Sequence, residues 1–340
     1  KSGGGALEIS NQNMIGEKFF SGIIIGGDAS VLSIAWIFYN TRAVDANELL
    51  GINTLFVSST IFTLMWGIRT FGMCDYRHGM IAMIISTGIK KVVIGTTDPN
   101  PKVAGSGIKK LLEAECEVIV GILEAECAFL NKRFFTFQQK KRPYIYLKWA
   151  ETADGFIAPA TRKNQQPVWI TNVYSQQLSH KIRAQEQAIL VGTQTVIDDN
   201  PSLTTREWYG NSPTRFVLDK KLRTSPESAI YTKDSETIIL SEKYSKLYRN
   251  ATFENIDFSK NIAEQICAIA HKKNIQSLVI EGGAQTLQTF IDANLWDEAF
   301  LFKGIANFGE GTKAPTLSGA LLSKRSISND LLFHYQNNTN

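Results

Sequence analysis

The sequence has few cysteines, and it arranges none of them as a metal-binding or redox pair. Cys74, Cys116, Cys127 and Cys267 are the four cysteines among 340 residues, and no two of them form a C-x-x-C motif. The common two-cysteine zinc and redox motifs are therefore absent from the sequence. Scattered cysteines without a disulfide framework predict reduced thiols in a cytoplasmic protein.

The sequence also lacks a strong charge bias and a membrane-spanning run. Its 36 basic and 32 acidic residues give a net charge of +4, which is too small and too mixed to predict a nucleic-acid partner. The uncharged stretch 52–68 is shorter than the ~20 residues of a spanning helix and contains polar Asn53 and Ser58, so no membrane partner is expected. The first ten residues lack the basic region and continuous apolar core of a secretory signal.

The length of the chain and one basic segment predict two domains. A chain of 340 residues is long enough for two domains of ordinary size. Three basic residues, Lys140, Lys141 and Arg142, stand directly before Pro143 and are typical of a linker. The predicted domains are therefore residues 1–142 and 143–340.

Apolar runs that alternate with helical patterns predict a mostly parallel sheet covered by helices on both faces. The predicted strands after residue 86 are 91–95, 117–120, 144–147, 188–191, 215–218, 237–240, 277–280 and 299–303. The predicted helices are 107–114, 129–139, a helix capped by Asn172 that runs to about Gln187, and 284–293. Before residue 86 the weaker pattern predicts strands 20–25 and 54–57 and a helix 45–50.

Two stretches at predicted strand ends carry residues suited to ligand binding. The buried strand 188–191 runs into a polar loop, predicted to turn at Asp198-Asp199-Asn200-Pro201, and open α/β sheets bind ligands at such strand ends. Glu281-Gly282-Gly283 joins a strand to a helix, where glycines allow a phosphate to approach backbone N–H groups. It is not a full G-x-G-x-x-G motif, and an ordinary tight turn is the alternative at both places.

Residues from about 88 to 320 resemble the bifunctional riboflavin-biosynthesis deaminase/reductases. The matching segments, in the family's order, are DPNPKVAGSGIKKL (98–111), KRPYIYLKWAETADGFIA (141–158), VWITN (168–172), RAQEQAILVGTQTVIDDNPSLTTR (183–206), FVLD (216–219) and VIEGGAQTLQTF (279–290). The resemblance implies an N-terminal cytidine-deaminase-like α/β/α sandwich and a C-terminal dihydrofolate-reductase-like α/β domain. It implies NADPH-dependent reduction of a phosphorylated pyrimidine, 5-amino-6-(5-phosphoribosylamino)uracil, to the ribitylamino form, by a homo-oligomer such as a dimer.

The same resemblance implies which residues form the reductase site. The positions implied for NADP are Trp169, Thr171, Thr195, Asp199, Gly283, Ala284, Gln285, Thr286 and Leu287. Those implied for the substrate are Arg183, Leu203, Arg206 and Glu281, and the catalytic group is Lys148, Asp199 and Glu281. Two arginines can grip a phosphate, and Lys148 with Asp199 can order the open-chain sugar and supply a proton. A surface salt bridge is the alternative for each charged residue, and a core aromatic the alternative for Trp169. A nucleotide-binding scaffold without turnover is the rival class, against which the presence of the whole charged set argues.

The N-terminal third departs from that family. A zinc deaminase needs an H-x-E motif and a two-cysteine motif. The first 100 residues hold one histidine, His78, and one cysteine, Cys74, in neither frame, and Asp75 or Glu48 could only extend a partial set. We therefore predict no metal site and a chain that reduces but does not deaminate. A bifunctional enzyme with zinc is the alternative, and the zinc motifs are either lost or missing because the first 86 residues differ from the native sequence.

Overall fold

The computed structural model describes residues 20–22, 35–38, 81–82, 84–86, 88–100, 104–162, 165 and 167–338. The chain divides into two units, residues 1–139 and 140–340, and each is described by itself. The boundary predicted after Arg142 stays a prediction. The predicted strand 54–57, the helix 45–50, the uncharged stretch 52–68 and the Cys74/His78 pair lie outside the described residues. Among the residues that the structure describes, no helix has the length and apolar character needed to cross a membrane.

The N-terminal unit contains a four-stranded sheet in the order β1-β2-β3-β4. The strands of this sheet are β1 (Phe20–Gly22), β2 (Ala35–Phe38), β3 (Lys91–Ile94) and β4 (Glu117–Val120). The described helices of the unit include α1 (Ser106–Glu113), α2 (Glu124–Leu130) and α3 (Lys132–Lys140). The last pair of strands is parallel and the other two pairs are antiparallel. The single helix predicted at 129–139 is wrong, because Asn131 separates α2 from α3 and donates its side-chain N–H to the Cys127 carbonyl at 2.9 Å.

The C-terminal unit is built on a nine-stranded sheet in the order β10-β9-β8-β7-β11-β5-β12-β15-β14. These strands are β5 (Tyr144–Glu151), β7 (Ala188–Gly192), β8 (Thr214–Leu218), β9 (Thr237–Ser241), β10 (Thr252–Asn255), β11 (Ser277–Ile280), β12 (Glu298–Lys303), β14 (Ala320–Ile327) and β15 (Asp330–Gln336). Neighbours from β10 to β12 are parallel, whereas β15 pairs antiparallel with both β12 and β14. Two short strands, β6 (Phe156–Pro159) and β13 (Gly311–Lys313), form a separate antiparallel pair. The mostly parallel α/β sheet predicted from the sequence is confirmed.

Among the described residues of this unit, four α-helices accompany the sheet: α4 (Val173–Gln185), α5 (Thr193–Asp199), α6 (Ile262–Lys272) and α7 (Ala284–Asp292). Asn172 begins α4 as predicted, because its side-chain oxygen accepts the N–H groups of Tyr174 and Ser175. The polar loop predicted after β7 is wrong, since α5 follows that strand at once. The buried Val196 anchors α5 to the core, and Asn200, at φ 43°, ends it before Pro201.

Side chains alternate along the central strands and fill both faces of the sheet. In β5, Ile145 and Leu147 point to one face, which α6 and α7 cover with residues such as Phe290. Tyr144 and Tyr146 point to the opposite face, where α4 and α5 contribute Ile182 and Val196. Because the period of a strand is two, the next residue on this second face is Lys148, a charged side chain directed toward the α4 side of the sheet.

Candidate active site

Lys148, midway along β5, lies beside Glu281, which directly follows the carboxyl end of the neighbouring parallel strand β11. Leu147 of β5 pairs with Ile280 of β11, so the residue that follows each of them occupies the next position along the same edge. The Lys148 Nζ lies 3.9 Å from the Glu281 Oε1, and the two side chains are only 14% and 5% exposed. The sheet register therefore creates a buried ion pair where parallel sheets bind ligands.

Arg183 joins this pair from helix α4. Its Nε donates to the Glu281 Oε1 at 3.1 Å and its Nη2 donates to the Oε2 at 2.5 Å. Its Nη1 reaches the carbonyl of Thr204 at 3.5 Å. One carboxylate thus lies between two cations, an arrangement we call the Lys148–Glu281–Arg183 triad. The triad brings together three of the residues that the family resemblance assigns to the reductase site.

The charges of the triad set its protonation states. Burial works against the charged form of Glu281, but Arg183 and Lys148 outweigh it and hold the pKa of that carboxyl below its ordinary value. Burial, reinforced by the Arg183 charge, lowers the pKa of Lys148, and Glu281 opposes part of this shift. Lys148 therefore releases a proton at a lower pH than an exposed lysine does, as a general acid requires.

Asp199 stands apart from the triad in its contacts, because its carboxylate pairs with Arg162. Burial raises the pKa of Asp199, and the hydrogen bond from Arg162 offsets part of that rise. Sequence reasoning missed Arg162, which lies between β6 and α4 in a stretch without a periodic pattern. The expected cooperation of Asp199 with Lys148 remains a prediction.

The loop after α5 is held by hydrogen bonds from several directions. Arg215 of β8 is fully buried and donates to the carbonyl of Ser202 at 3.1 Å, and Asn200 accepts the Ala229 N–H at 2.8 Å. Leu203, which follows Ser202, has a left-handed backbone conformation with φ 55°. These contacts hold the main chain that leads to Arg206 in one defined conformation.

Arg206 is exposed, and its guanidinium folds over its own loop. Its Nη1 contacts the Ser202 hydroxyl and donates to the Thr204 Oγ1 at 3.2 Å. Its backbone N–H donates to the Nδ1 of the buried His180 at 3.2 Å. His180 was not singled out from the sequence, although it lies three residues before Arg183 and so shares its face of α4.

Three glycines form a crowded corner at the ends of β7 and β11. A Cβ on Gly192 would lie 2.6 Å from the Thr286 Oγ1, and one on Gly282 would lie 3.1 Å from the Thr195 Oγ1. Gly283 has φ 63° and begins α7, which has no side-chain cap. The N–H groups of the first helical turn lack intrahelical acceptors, so this corner fits a phosphate of a dinucleotide.

The remaining predicted cofactor positions differ in what their side chains can reach. Trp169 is 63% exposed, so the alternative of a core aromatic is wrong. Thr171 accepts a hydrogen bond from Gln176 through its carbonyl at 3.0 Å. Leu287 and the substrate-assigned Leu203 are buried in the core, so either can meet a ligand only through its backbone. Ala284 and Gln285 lie in the first turn of α7.

A metal centre is not formed by the part of the chain that the structure describes. Within it, no three histidine, cysteine, aspartate or glutamate side chains are grouped so that they could hold a metal ion. Its cysteines, Cys116, Cys127 and Cys267, are buried, and burial raises the pKa of the Cys267 thiol to about 12.

Comparisons with known proteins identify relatives of both the sequence and the fold. The family model described as the RibD C-terminal domain matches residues 143–331. The riboflavin biosynthesis protein RibD of Aquifex aeolicus is 36% identical over 258 residues, which cover 73% of this chain and 69% of that protein. The corresponding protein of Bacillus amyloliquefaciens is 35% identical over 245 residues, with 69% and 65% covered. The chain thus spans about two thirds of the length of these relatives.

The solved structures that resemble this one include the following two. The first is described as a diaminohydroxyphosphoribosylaminopyrimidine deaminase/5-amino-6-(5-phosphoribosylamino)uracil reductase from Thermotoga maritima. It has a TM-score of 0.67 at 31% identity and covers 76% of this chain and 74% of its own. The second, Acinetobacter baumannii RibD, has a TM-score of 0.66 at 24% identity, covers 75% of each chain and bears on the fold alone.

Proposed function

The chain belongs to the RibD family of riboflavin-biosynthesis proteins and carries its reductase domain, and we propose that this domain reduces 5-amino-6-(5-phosphoribosylamino)uracil with NADPH. The observation that carries the proposal is the Lys148–Glu281–Arg183 triad beside the glycine corner of Gly192, Gly282 and Gly283. Lys148, which can donate a proton, and the glycine corner, which can bind a phosphate, lie at the same edge of one sheet, and this arrangement suits a nicotinamide-dependent reduction. The dihydrofolate-reductase-like fold of the domain is part of this proposal.

NADPH is the cofactor that the site fits. The uncapped start of α7 and the two glycines before it offer backbone N–H groups to the pyrophosphate, and Thr195 and Thr286 line the same corner. The exposed Lys220, Lys221 and Arg223 follow β8 and suit a 2′-phosphate. When bound, the cofactor supplies the hydride that reduces the first carbon of the sugar. We place Trp169, Thr171 and Asp199 among the residues that line its site.

The triad supplies the proton that the reaction consumes. Reduction of the ribosylamino group to the ribitylamino group takes up one hydride and one proton. We propose that Lys148 holds that proton, because its lowered pKa makes the ammonium a better acid than that of an exposed lysine. Glu281 accepts hydrogen bonds from the pyrimidine amine or a sugar hydroxyl, and Arg183 orients the carboxylate. Arg206, exposed at the loop, binds the substrate phosphate.

The location and assembly that we propose follow the family. The buried free thiols of Cys116 and Cys267 support a cytoplasmic location. A homo-oligomer such as a dimer, and zinc-dependent deamination by an N-terminal deaminase-like domain, are proposals that rest on the resemblance alone.

Enzyme assays with purified protein test the proposed reduction. The deaminated pyrimidine is supplied with NADPH, the loss of absorbance at the nicotinamide band is followed, and the product is weighed by mass spectrometry. We expect one ribitylamino product for each NADPH oxidised. The variant Lys148→Met should lose about 10²- to 10⁴-fold in kcat, the range for removal of a general acid. Absence of NADPH oxidation in the wild type would refute the proposal.

A further inference from the structure

The buried His180 contacts the main chain of the loop after α5, residues 200–206, which carries the proposed phosphate-binding residue Arg206. Its Nδ1 lies 3.2 Å from the backbone nitrogen of Arg206, which donates the hydrogen bond. A backbone N–H can only donate, so the Nδ1 must accept and carry no proton. The imidazole is therefore neutral in this arrangement, with its proton on Nε2.

This hydrogen bond fixes the point from which the Arg206 side chain extends. The same loop is held on its inner side by Arg215 at Ser202 and by Arg183 at Thr204. At Arg206 the backbone contact comes from His180, and the guanidinium contacts the neighbouring hydroxyls of Ser202 and Thr204. Loss of the His180 contact would therefore loosen the loop at the residue that meets the ligand.

We propose that neutral His180 is a positioning residue that holds Arg206 for the substrate phosphate, and that protonation of His180 releases this hold. The inference rests on the proposed function, because it takes Arg206 as the phosphate-binding residue. His180 acts through Arg206 and not on the reacting atoms. It should therefore change the KM of the phosphorylated substrate and leave kcat nearly unchanged.

The charges that face His180 favour the neutral imidazole. Arg183 lies on its own helix, Arg206 and Glu207 lie on the loop, and Glu281 lies at the end of β11. Burial comes first among the causes that lower the pKa of His180, the two arginines add to it, and the two carboxylates oppose it. His180 is therefore protonated only below the ordinary histidine pKa of about 6.5. Binding of the substrate phosphate should weaken as the pH falls through the lowered pKa of His180.

Two amide variants separate the role of the Nδ1 from simple packing. His180→Asn can place its amide oxygen where the Nδ1 was, whereas His180→Gln places its amide oxygen near the position of the Nε2. At pH 7.5, with saturating NADPH, we expect the substrate KM of the Asn variant to stay within about 3-fold of the wild type. The Gln variant should raise KM by about 5- to 10-fold, the effect of one lost hydrogen bond, with kcat within about 2-fold in both. Equal KM values for the two variants would overturn the proposal.

A pH series with the same proteins isolates the titration of His180. The substrate phosphate itself titrates near pH 6, but it does so equally for every variant. The ratio of the wild-type KM to that of His180→Asn should rise as the pH falls from 7.5 to 5, by up to about 5- to 10-fold when His180 is fully protonated, because Asn cannot be protonated. A ratio that does not change with pH would overturn the proposal that protonation of His180 releases Arg206.

Two further measurements do not depend on turnover. Nitrogen NMR of the imidazole at pH 7.5 should show a protonated Nε2 and a bare Nδ1, and the opposite tautomer would contradict the inference. If the wild type fails to oxidise NADPH, the proposed function fails, and titration with inorganic phosphate decides the His180 step. Weaker phosphate binding by His180→Gln than by His180→Asn supports it, and equal binding overturns it. If NADPH is oxidised but the two variants behave alike, the inference about His180 alone fails.

Discussion

Arg183 grips Glu281 through two parallel hydrogen bonds, from Nε to Oε1 at 3.1 Å and from Nη2 to Oε2 at 2.5 Å. This pairing occupies the forked face of the guanidinium, which is the face that binds phosphates and carboxylates best. The resemblance places Arg183 and Arg206 together among the substrate residues, yet only Arg206 is exposed at the loop. We therefore expect Arg183 to act mainly by orienting Glu281, and Arg206 to bind the phosphate.

The two neighbours of Lys148 should move its titration in opposite directions. Arg183→Met removes a positive charge and should raise the pKa of Lys148, whereas Glu281→Gln removes a negative charge and should lower it further. Nitrogen NMR of the labelled ammonium, or the basic limb of the kcat profile, measures both shifts. Arg325→Met on the exposed strand β14 is the control and should leave the titration unchanged. Shifts of the same sign in both triad variants would contradict the electrostatic account.

Substitution of Arg206 and substitution of Arg183 should weaken substrate binding in ways that depend differently on the substrate phosphate. Arg206→Ala should weaken binding of the phosphorylated pyrimidine by about 1.5–3 kcal/mol, the value of a hydrogen bond to a charged group, and much less for the dephosphorylated compound. Arg183→Ala should weaken binding of both compounds to a similar degree, because it mainly disturbs Glu281. Its contact with the Thr204 carbonyl is long, at 3.5 Å, and Arg215 also holds this loop at Ser202. Titration of each variant with both compounds measures the difference. A phosphate-dependent loss for Arg183 alone would reverse the two assignments.

Glu281 should contribute to stability in a pH-dependent way. Its folded-state pKa is lowered, so its contribution is present above the unfolded value of about 4.3 and is lost as the pH falls through the folded value. Glu281→Gln should cost about 3–5 kcal/mol at neutral pH, because it leaves two buried cations without their carboxylate. The difference from the wild type should shrink below about pH 4. Chemical denaturation between pH 7 and 3 measures it, with the exposed Glu310→Gln as control. A difference that stays constant to pH 3 would contradict the assignment.

The sequence predicted the parts of the fold that have a strong local signal. Strand β7 and the start of α7 were predicted correctly, because a continuous apolar run and a pair of glycines mark them. The Asn172 cap was also predicted, since its side-chain oxygen and the following apolar spacing are local features. Helix α5 was not predicted, because its seven residues are mostly polar and a single buried valine, Val196, holds it.

The candidate site was predicted in its residues but not in its pairings. Lys148, Arg183 and Glu281 come from three segments, and only the register of β5 with β11 and the packing of α4 bring them together. Arg162 and His180 were missed for the same reason, since each contacts a residue at least 26 positions away. The antiparallel edge formed by β14 and β15 was also missed, because β14 is exposed along most of its length and its apolar run ends at Leu322.

The basic residues after β8 should set the choice between NADPH and NADH. Lys221 and Arg223 are exposed, whereas Lys220 lies 3.4 Å from Glu242, which offsets part of its charge. Lys221→Ala and Arg223→Ala should each lower kcat/KM for NADPH by about 5- to 30-fold and change that for NADH by less than about 2-fold. Glu242→Gln should strengthen the preference, because it frees Lys220. Lys313→Ala on the exposed strand β13 is the control, and equal wild-type efficiency with both cofactors would refute the preference.

The last prediction concerns the activity that the sequence is expected to lack. Catalytic zinc needs three protein ligands, an open position for water and a nearby glutamate that moves protons. The first 100 residues of the sequence hold one cysteine, Cys74, and one histidine, His78, in neither of the required motifs. Without a metal, water keeps nearly its bulk pKa and is a poor nucleophile at neutral pH.

Supplying each pyrimidine separately with NADPH tests this expectation. The reductase unit, residues 140–340, has its own hydrophobic core on both faces of its sheet, so its activity need not depend on a deaminase site. We expect NADPH oxidation with the deaminated compound, no ammonia from its diamino precursor, and well under one zinc per chain by metal analysis. Protein prepared with added zinc is the control for metal lost during purification. Stoichiometric zinc together with ammonia release would overturn the prediction, because the ligands would then have to come from residues outside the recognised motifs.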